Sequence, residues 1–349
     1  MVQISQIAQQ QVQQEVQQQA GKLLSQMAGY VGGRTIDLGL RSGLLEAVAS
    51  YPLGITAEAL AEEIGLDPLY VKVWCRSAFA AEVLELGEHE AYTLAIHMDK
   101  LLMDKNFPGY IGGIPGVMVH PEIFDRFAES LPSGKRHWWD DCSPAFIEKV
   151  STMGQPFYTR LIPMGLSRVP DLAEGLAHDA RLLELACGAG IGLVRMAQTY
   201  PGATVVGVDG DAHSLKITAD RVKQEGLQDR VSLVHSPVED IGDQDEYDLV
   251  LINISMHECR DIPKVTRNVY RALKPGGSFV ISDFPFPDST AETRTVPARL
   301  MCGIQFFEAQ LGAQLLPTRA FVDLLIRHGF QDVGSLNLTP VHALTYGRK

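Results

Sequence analysis

The sequence predicts an α/β protein: a doubly wound, Rossmann-like sheet from residue 181 onward, preceded by a mostly helical unit. Three patterns support this prediction. Strand-like and helix-like segments alternate from 181 to the end, a glycine-rich turn joins the first of these strands to its helix, and residues 34–104 show helices followed by a hairpin. Alternating segments of this kind form parallel sheets that are covered by helices on both faces.

Composition limits the class of partner. The chain has 349 residues, 46% of them hydrophobic, and a formal net charge of -12. This length allows two domains, and the acidic balance argues against nucleic acid or an anionic membrane as the main partner. No apolar run reaches the ~18 residues of a membrane span, and no signal-peptide pattern opens the chain. We expect a cytoplasmic protein that acts on a small molecule.

Cysteine and histidine spacing predicts no metal site. The five cysteines are far apart, and neither they nor the histidines show the short spacing of metal ligands. The same scatter gives no disulfide framework, so a reducing compartment is the expectation.

The glutamine-rich N-terminus predicts an amphipathic helix. Apolar residues recur there at three- and four-residue steps, which is the period of one helix face. They are Ile4, Ala8, Val12, Val16, Ala20, Leu23 and Met27. Such a stripe needs an apolar partner, and we expect it to contact a second copy of the chain in a homodimer.

Residues 34–104 have the plan of a winged helix. Thr56 can cap a helix over 57–64 that ends at Gly65, Asp67 can cap the next helix, and a hairpin follows over 83–94. Between Leu44 and Asp104, however, eleven acidic residues stand against three basic ones, which is unsuited to DNA. We interpret 1–104 as a dimerisation and substrate-lid domain.

Residues 105–170 predict a helical connector that forms a pocket wall, because aromatic side chains concentrate there. The third segment, 171–349, is the expected cofactor-binding domain. Five side chains along these two segments are candidate substrate contacts: Phe157, Tyr158, Met256, Met301 and Phe306.

The stretch "LLELACGAGIG", residues 182–192, predicts a nucleotide site. Glycines between a strand and a helix let a ligand approach the backbone at the carboxyl edge of a sheet. Asp209 ends the next strand, 21 residues after Gly188, where a carboxylate can accept hydrogen bonds from vicinal ribose hydroxyls. Both a nicotinamide dinucleotide and S-adenosylmethionine carry such a ribose.

Three further features separate these cofactors. Glu184 lies inside the strand end, where a carboxylate can meet a cationic amino group. A "KPGG" turn precedes the fifth strand, and the chain closes with a helix and two strands rather than with a second parallel half. In this order and spacing, residues 181–349 resemble the class I S-adenosylmethionine-dependent methyltransferases. The whole chain resembles the small-molecule O-methyltransferases of the plant caffeate type and their bacterial relatives.

This resemblance implies a seven-stranded methyltransferase sheet, a winged-helix-like dimerisation domain, and S-adenosyl-L-methionine as cofactor, with S-adenosyl-L-homocysteine as product. Glu184 would receive the amino group of the cofactor, Gly188 and Gly190 would lie against its methionine part, and Asp209 would hold its ribose. The other implied cofactor contacts are Ala186, Gly210, Val238, Glu239 and Asn253. Ala186 replaces a family glycine, and we expect it to have strand-like backbone angles.

The resemblance also implies a general base. His257, after the fourth strand, aligns with the family's histidine, and an imidazole with a pKa near ~6.5 can accept a hydroxyl proton at neutral pH. Glu258 or Asp283 would orient the ring. The family's second acid has no counterpart at Leu316-Pro317-Thr318. Carbon methylation of an acidic C–H compound, or a non-methylating protein that binds the same cofactor, are the alternatives.

Overall fold

The computed structural model describes residues 2–176 and 178–349, without the side chains of residues 2–9 and 140. The chain forms two compact units. The first runs up to Lys105 and includes Gly109–Val119, and the second comprises Asn106–Pro108 and His120–Lys349. The division into three segments at 104 and 170 remains a prediction.

The first unit begins with one long helix, α1 (Val2–Arg41). The predicted helix is therefore confirmed, and it continues past residue 28 without a break. Of its predicted stripe, Ile4 and Ala8 lie outside the described side chains. The described apolar side chains of its first thirty residues are more than half exposed: Val12, Val16, Leu23, Leu24, Met27 and Tyr30. Exposed apolar side chains in such a row are typical of a surface that packs against another chain.

The remaining elements of the first unit follow the predicted order of helices and hairpin. They are α2 (Leu44–Ala49), α3 (Ala57–Ile64), α4 (Pro68–Ala80), β1 (Leu84–Leu86), β2 (Tyr92–Leu94), α5 (Met98–Leu102) and α6 (Gly113–Met118). Thr56 and Asp67 cap α3 and α4 as predicted, because their side-chain oxygens accept hydrogen bonds from backbone N–H groups of the first turn. The Trp74 indole donates a buried hydrogen bond to the carbonyl of Thr35, which ties α4 to α1.

The second unit contains a mixed sheet of seven strands in its described residues. The strands are β3 (Arg181–Leu185), β4 (Thr204–Asp209), β5 (Val231–His235), β6 (Tyr247–Asn253), β7 (Leu273–Asp283), β8 (Gln331–Thr339) and β9 (His342–Arg348). Their order is β5-β4-β3-β6-β7-β9-β8, and β9 is antiparallel to both neighbours. The doubly wound fold and its antiparallel last strand are thereby confirmed.

The described part of the second unit has eight α-helices, several of which cover the two faces of this sheet. They are α7 (Pro121–Ser130), α8 (Pro144–Arg160), α9 (Leu172–Leu176), α10 (Ile191–Thr199), α11 (Ala212–Gln224), α12 (Ile262–Ala272), α13 (Val296–Leu311) and α14 (Thr318–Arg327). The chain runs outward from β3 to β5 and then returns to β6 on the other side of β3. The carboxyl ends of β3 and β6 therefore flank the point at which strand order reverses, where open α/β sheets bind ligands.

The two faces of the sheet bury separate apolar clusters. Leu182 packs in the cluster with α8 and α10, whereas Leu183 and Leu185 pack in the cluster with α12 and α14. Successive side chains of a strand point to opposite faces, so Glu184 shares the face of Leu182 and enters the first cluster. Among the described residues, no helix is long and apolar enough to cross a membrane.

Candidate active site

The glycine-rich turn between β3 and α10 is held by hydrogen bonds from two other elements. Asp209, at the end of β4, accepts hydrogen bonds from the backbone N–H of Gly188 and of Asp211, both at 2.8 Å. The hydroxyl of Thr218 in α11 donates to the carbonyl of Gly188 at 2.6 Å. A Cβ at Gly190 would overlap the Thr218 side chain, so only glycine allows this contact.

Ala186 adopts left-handed backbone angles, with φ of 51°. Our expectation of strand-like angles is therefore wrong. The chain leaves β3 through three left-handed residues in five, because Gly188 and Gly190 also have positive φ values, of 51° and 74°. A residue with a Cβ meets its own carbonyl oxygen in this conformation, which explains why glycine is favoured at such a position.

Glu184 is a buried carboxylate beside the Tyr158 hydroxyl, which is not positioned for a well-formed hydrogen bond to it. The side chain is 0% exposed, and neither oxygen accepts a hydrogen bond from any described residue. A Cβ at Gly192 would overlap both this carboxylate and the ring of Tyr158. Burial raises the pKa of Glu184 to about 8; the nearby Tyr158 hydroxyl opposes this shift and Asp209 adds to it. A buried carboxylate of this kind is stabilised only by a cation or a strong donor.

Asp209 holds the glycine-rich turn by hydrogen bonds and keeps lone pairs for a ligand. Asp211, rather than Asp209, caps α11, since its carboxylate accepts hydrogen bonds from the N–H groups of His213 and Ser214. Burial raises the pKa of Asp209, and its two backbone hydrogen bonds oppose that shift. A carboxylate has about four lone-pair sites, so Asp209 can still accept hydrogen bonds from a ribose. A Cβ at the neighbouring Gly210 would meet no atom within 4 Å.

The remaining predicted cofactor residues differ in what they can still bind. The Glu239 carboxylate accepts a hydrogen bond from the backbone N–H of Arg260 at 2.8 Å, and Val238 packs against the apolar core. Asn253, at the end of β6, accepts a hydrogen bond from the Ser282 hydroxyl at 2.6 Å. Its buried amide nitrogen lacks a partner within the described part of the chain. The Asn253 amide can therefore donate to a ligand, and the Glu239 carboxylate, with one hydrogen bond, keeps lone pairs that can accept others.

His257 lies between carboxylates from two different elements. Its Nδ1 is 2.9 Å from both oxygens of Asp283, the last residue of β7. Its Nε2 is 3.4 Å from the carboxylate of Glu308, which comes from α13. Both His257 and Glu308 are 3% exposed. Of the two acids expected to orient the ring, Asp283 is the one within hydrogen-bonding distance of His257, and Glu308 is a further carboxylate that the sequence analysis missed.

These carboxylates determine the charge of His257. Burial alone lowers the pKa of the imidazole, but Asp283 and Glu308 outweigh burial and raise that pKa well above 6.5. The expected pKa near that of a free histidine is therefore wrong. Glu258 does not contact the ring as an orienting partner; it accepts a hydrogen bond from the Trp139 indole at 3.1 Å. Burial, followed by the charge of Glu308, raises the pKa of Glu258 to about 8.

The predicted substrate residues separate into different surroundings. Phe157 and Met301 share a small apolar cluster with Phe284, whose ring centroid is 6.3 Å from that of His257. Tyr158 adjoins Glu184. Met256 is fully buried in the core beneath α12 and α14. Phe306 packs against the rings of α7 instead, with centroid distances of 4.9–5.0 Å. Phe157 and Met301 are the two that line the same cluster beside His257.

Comparison with known proteins identifies the second unit. Residues 182–277, which contain the glycine turn, Asp209, Asn253 and His257, match the family described as "Methyltransferase domain". The chain carries a methyltransferase domain. The methyltransferase domain expected from the sequence is confirmed over these residues, and solved structures of methyltransferases share the expected fold.

Related sequences share this methyltransferase domain over part of their length. Methyltransferase GfsG of Streptomyces halstedii is 32% identical over 170 residues, covering 47% of this chain and 55% of the relative. Ubiquinone/menaquinone biosynthesis C-methyltransferase UbiE of Pectobacterium carotovorum is 29% identical over 116 residues, covering 33% of this chain and 46% of the relative. The chain thus spans about half the length of the curated relatives that it matches.

Solved structures share the fold of nearly the whole chain. An O-methyltransferase family protein from Burkholderia thailandensis aligns with a TM-score of 0.67 at 17% identity, covering 95% of this chain and 98% of that protein. Human N-acetylserotonin methyltransferase in complex with SAM aligns with a TM-score of 0.71 at 15% identity, with coverage of 95% and 98%. At these identities the likeness concerns the fold, in which the methyltransferase domain follows a helical N-terminal region.

Glycine at position 186 should stabilise the methyltransferase domain. We expect Ala186→Gly to raise the free energy of unfolding by about 1 kcal/mol, because a left-handed alanine costs roughly that much. Ala189→Gly is the matched control: Ala189 has no positive φ, so the same change should lower stability by roughly 0.5 kcal/mol. Urea unfolding measures both. A destabilised Ala186→Gly variant would contradict the left-handed conformation.

Cofactor affinity should rise with pH through the ionisation of Glu184. Its pKa of about 8 leaves the carboxyl largely protonated at pH 6, whereas an ammonium group is held best by the ionised form. We expect the affinity for S-adenosylhomocysteine to increase up to about tenfold per pH unit between 6 and 7.5. Glu184→Gln should bind more weakly and show little pH dependence in calorimetric titrations. A wild-type affinity that does not change with pH would be inconsistent with this role.

Proposed function

We propose that this chain transfers a methyl group from S-adenosylmethionine to a small, partly apolar acceptor. The observation that carries the proposal is the buried Glu184 carboxylate, which has no well-formed hydrogen bond and lies next to a glycine turn held by Asp209 in a methyltransferase domain. The cationic amino group of the cofactor's methionine part would supply the missing charge. Asp209 and Gly210 would hold the ribose, and the amide nitrogen of Asn253 would donate to the ligand.

Methyl transfer from a sulfonium needs little covalent help from the protein. The lone pair of the acceptor forms the new bond to the methyl carbon, the carbon–sulfur bond breaks, and its electron pair stays on sulfur as S-adenosylhomocysteine. The acceptor must also lose a proton, and we place that loss at the His257 cluster. The remaining contribution of the protein is alignment of the nucleophile, the methyl carbon and the sulfur.

The surroundings of His257 support a small acceptor with an apolar part. Phe157, Phe284 and Met301 would contact that part, and the charged cluster would contact its reacting group. We propose oxygen as the methylated atom, because the carboxylates around His257 would stabilise the imidazolium that forms when the neutral ring accepts a hydroxyl proton. Carbon is the second candidate, since a relative of the domain is named a C-methyltransferase and an acidic C–H proton could leave at the same cluster.

We also propose that the protein is a homodimer. The apolar side chains of α1 lie exposed over several turns within the first unit, and they recur at helical spacing. A row of this kind is costly to leave in water. The identical helix of a second chain offers a matching apolar stripe, and in its first thirty residues this glutamine-rich helix carries only Glu15 and Lys22 as charged side chains, so charge repulsion is small.

Replacement of His257 should strongly reduce the rate of methyl transfer and leave the affinity for the cofactor nearly unchanged. We expect His257→Ala to lower kcat by ~10²–10⁴-fold, the usual effect of removing an acid–base group. Affinity for S-adenosylhomocysteine should stay within a few-fold, because Glu184 and Asp209 are intact. His328→Ala, at the exposed end of α14, is the control and should remain active. The assay is transfer of labelled methyl to a panel of phenols, hydroxy acids and keto acids. A fully active His257→Ala enzyme would refute the assignment.

Charges on the α1 stripe should dissociate the dimer. Light scattering should give the wild type twice the 38.2 kDa chain mass. Val16→Glu combined with Leu23→Glu should shift the protein to the monomer, because each carboxylate would be buried against an apolar neighbour. Gln14→Glu combined with Gln18→Glu adds the same charge on another face of the helix and should leave the mass unchanged. A monomeric wild type at micromolar concentration would rule out this interface.

A further inference from the structure

We propose that His257, Glu258 and Glu308 bind a divalent first-row transition-metal ion, such as zinc or ferrous iron. One ligand atom from each side chain can be chosen so that all three lie within 4.8 Å of one another. Ligand atoms bound at about 2.0–2.2 Å to one zinc ion lie at most about 4 Å apart, so a modest rotation of the glutamates completes the site. A nitrogen and two carboxylates are ligands that favour transition metals over magnesium or calcium.

Two atoms of this cluster are buried and lack a hydrogen bond. They are Nε2 of His257 and Oε2 of Glu308, on side chains that are each 3% exposed; they form an ion pair with each other at 3.4 Å, but not a well-formed hydrogen bond. Neither has another partner among the residues that the structure describes. Buried polar atoms are nearly always satisfied, and two that face each other at this distance indicate a missing ligand between them. A metal ion between Nε2 and Oε2 would satisfy both.

Asp283 prepares the ring for this role. Its carboxylate is 2.9 Å from Nδ1 of His257, so Nδ1 carries a proton and donates it to Asp283. That hydrogen bond leaves the lone pair of Nε2 for a metal once the second proton is displaced. Metal-bound histidines generally donate their other N–H to a carboxylate or a carbonyl in this way, which fixes the ring and strengthens the nitrogen as a ligand.

The charge of the cluster also favours a cation. Three carboxylates, from Glu258, Asp283 and Glu308, surround a single imidazole. Even with the ring protonated, three ionised carboxylates would leave two uncompensated negative charges in a largely buried site. Burial of an unpaired charge costs several kcal/mol, so such a site binds a proton or a metal ion. A divalent ion would offset the charge and let both glutamates ionise.

The metal would act on the acceptor, and this part rests on the proposed function. Three protein ligands leave coordination positions for an oxygen of the acceptor, next to Phe157 and Phe284. A metal ion lowers the pKa of a bound hydroxyl or enol, so that its proton is lost to water before the methyl group is transferred. The inferred substrate class is thus a small molecule whose reacting oxygen, or an oxygen next to its reacting carbon, can bind a metal.

Cobalt binding tests the site without any methyl transfer. Chelator-treated protein is titrated with Co²⁺ in the absence of cofactor, and visible absorption and calorimetry report the stoichiometry. We expect one Co²⁺ per chain, displaced by one equivalent of Zn²⁺ and not by Mg²⁺. Glu308→Gln should weaken binding at least ~100-fold, and Asp283→Asn by ~10–100-fold. Glu292→Gln, an exposed glutamate outside the cluster, should bind Co²⁺ as the wild type does.

Titration with S-adenosylhomocysteine in parallel separates the two proposals. Retained cofactor affinity shows that Glu308→Gln is folded, and Glu258→Gln replaces it in the test if it is not. No stoichiometric Co²⁺ in the wild type, or equal affinity in Glu308→Gln, overturns the metal site and leaves the methyltransferase proposal intact. Metal binding with no binding of S-adenosylhomocysteine would instead support the metal site and refute the proposed function.

Discussion

The carboxylate of Asp209 joins the two strand ends on which the candidate site depends. By accepting hydrogen bonds from Gly188 and Asp211, it connects the turn after β3 to the end of β4. These hydrogen bonds hold the turn in a conformation that contains left-handed residues. One of them is Ala186, for which this conformation is unfavourable. Because the turn is fixed, Gly192 lies close enough to β3 that the Glu184 carboxylate is sealed beneath it. A different residue at 209 would release the loop and expose Glu184 to water.

Two buried carboxylate sites at the carboxyl edge of the sheet have the same electrostatic property: each would be stabilised by a bound cation. Glu184 lies at the carboxyl end of β3 and His257 follows β6, so the two lie on either side of the point at which strand order reverses. Each site holds carboxylates in apolar surroundings with too few donors among the described residues. Such an arrangement destabilises the folded chain alone, and it is stabilised by a bound cation. The ammonium of the cofactor suits the first site, and a divalent metal suits the second.

Periodicity made most of the fold predictable. Each strand from β3 to β7 is an apolar run that is followed by polar residues at its carboxyl end. Turn residues separate these strands from the helices. The backbone angles of Ala186 were not predictable, because no sequence pattern shows that a strand turns one residue early. Helix α13 was missed because residues 284–317 carry no clear apolar period. Without α13 as a helix, Met301 and Phe306 looked equivalent, although they lie on different faces of it.

The geometry of α13 also explains why a metal site was not predicted from spacing. Met301 and Glu308 are seven residues apart, about two helical turns, so they share the face that meets His257. Phe306 is turned away by roughly 140° and packs on α7. Ligand spacing along the sequence reveals a metal site only when its ligands come from one local segment. Here the third ligand is 50 residues beyond Glu258 and arrives through packing of α13. The family pattern places its second acid near Pro317, whereas in this chain the carboxylate of Glu308 faces Nε2 of His257, the ring nitrogen that Asp283 does not contact.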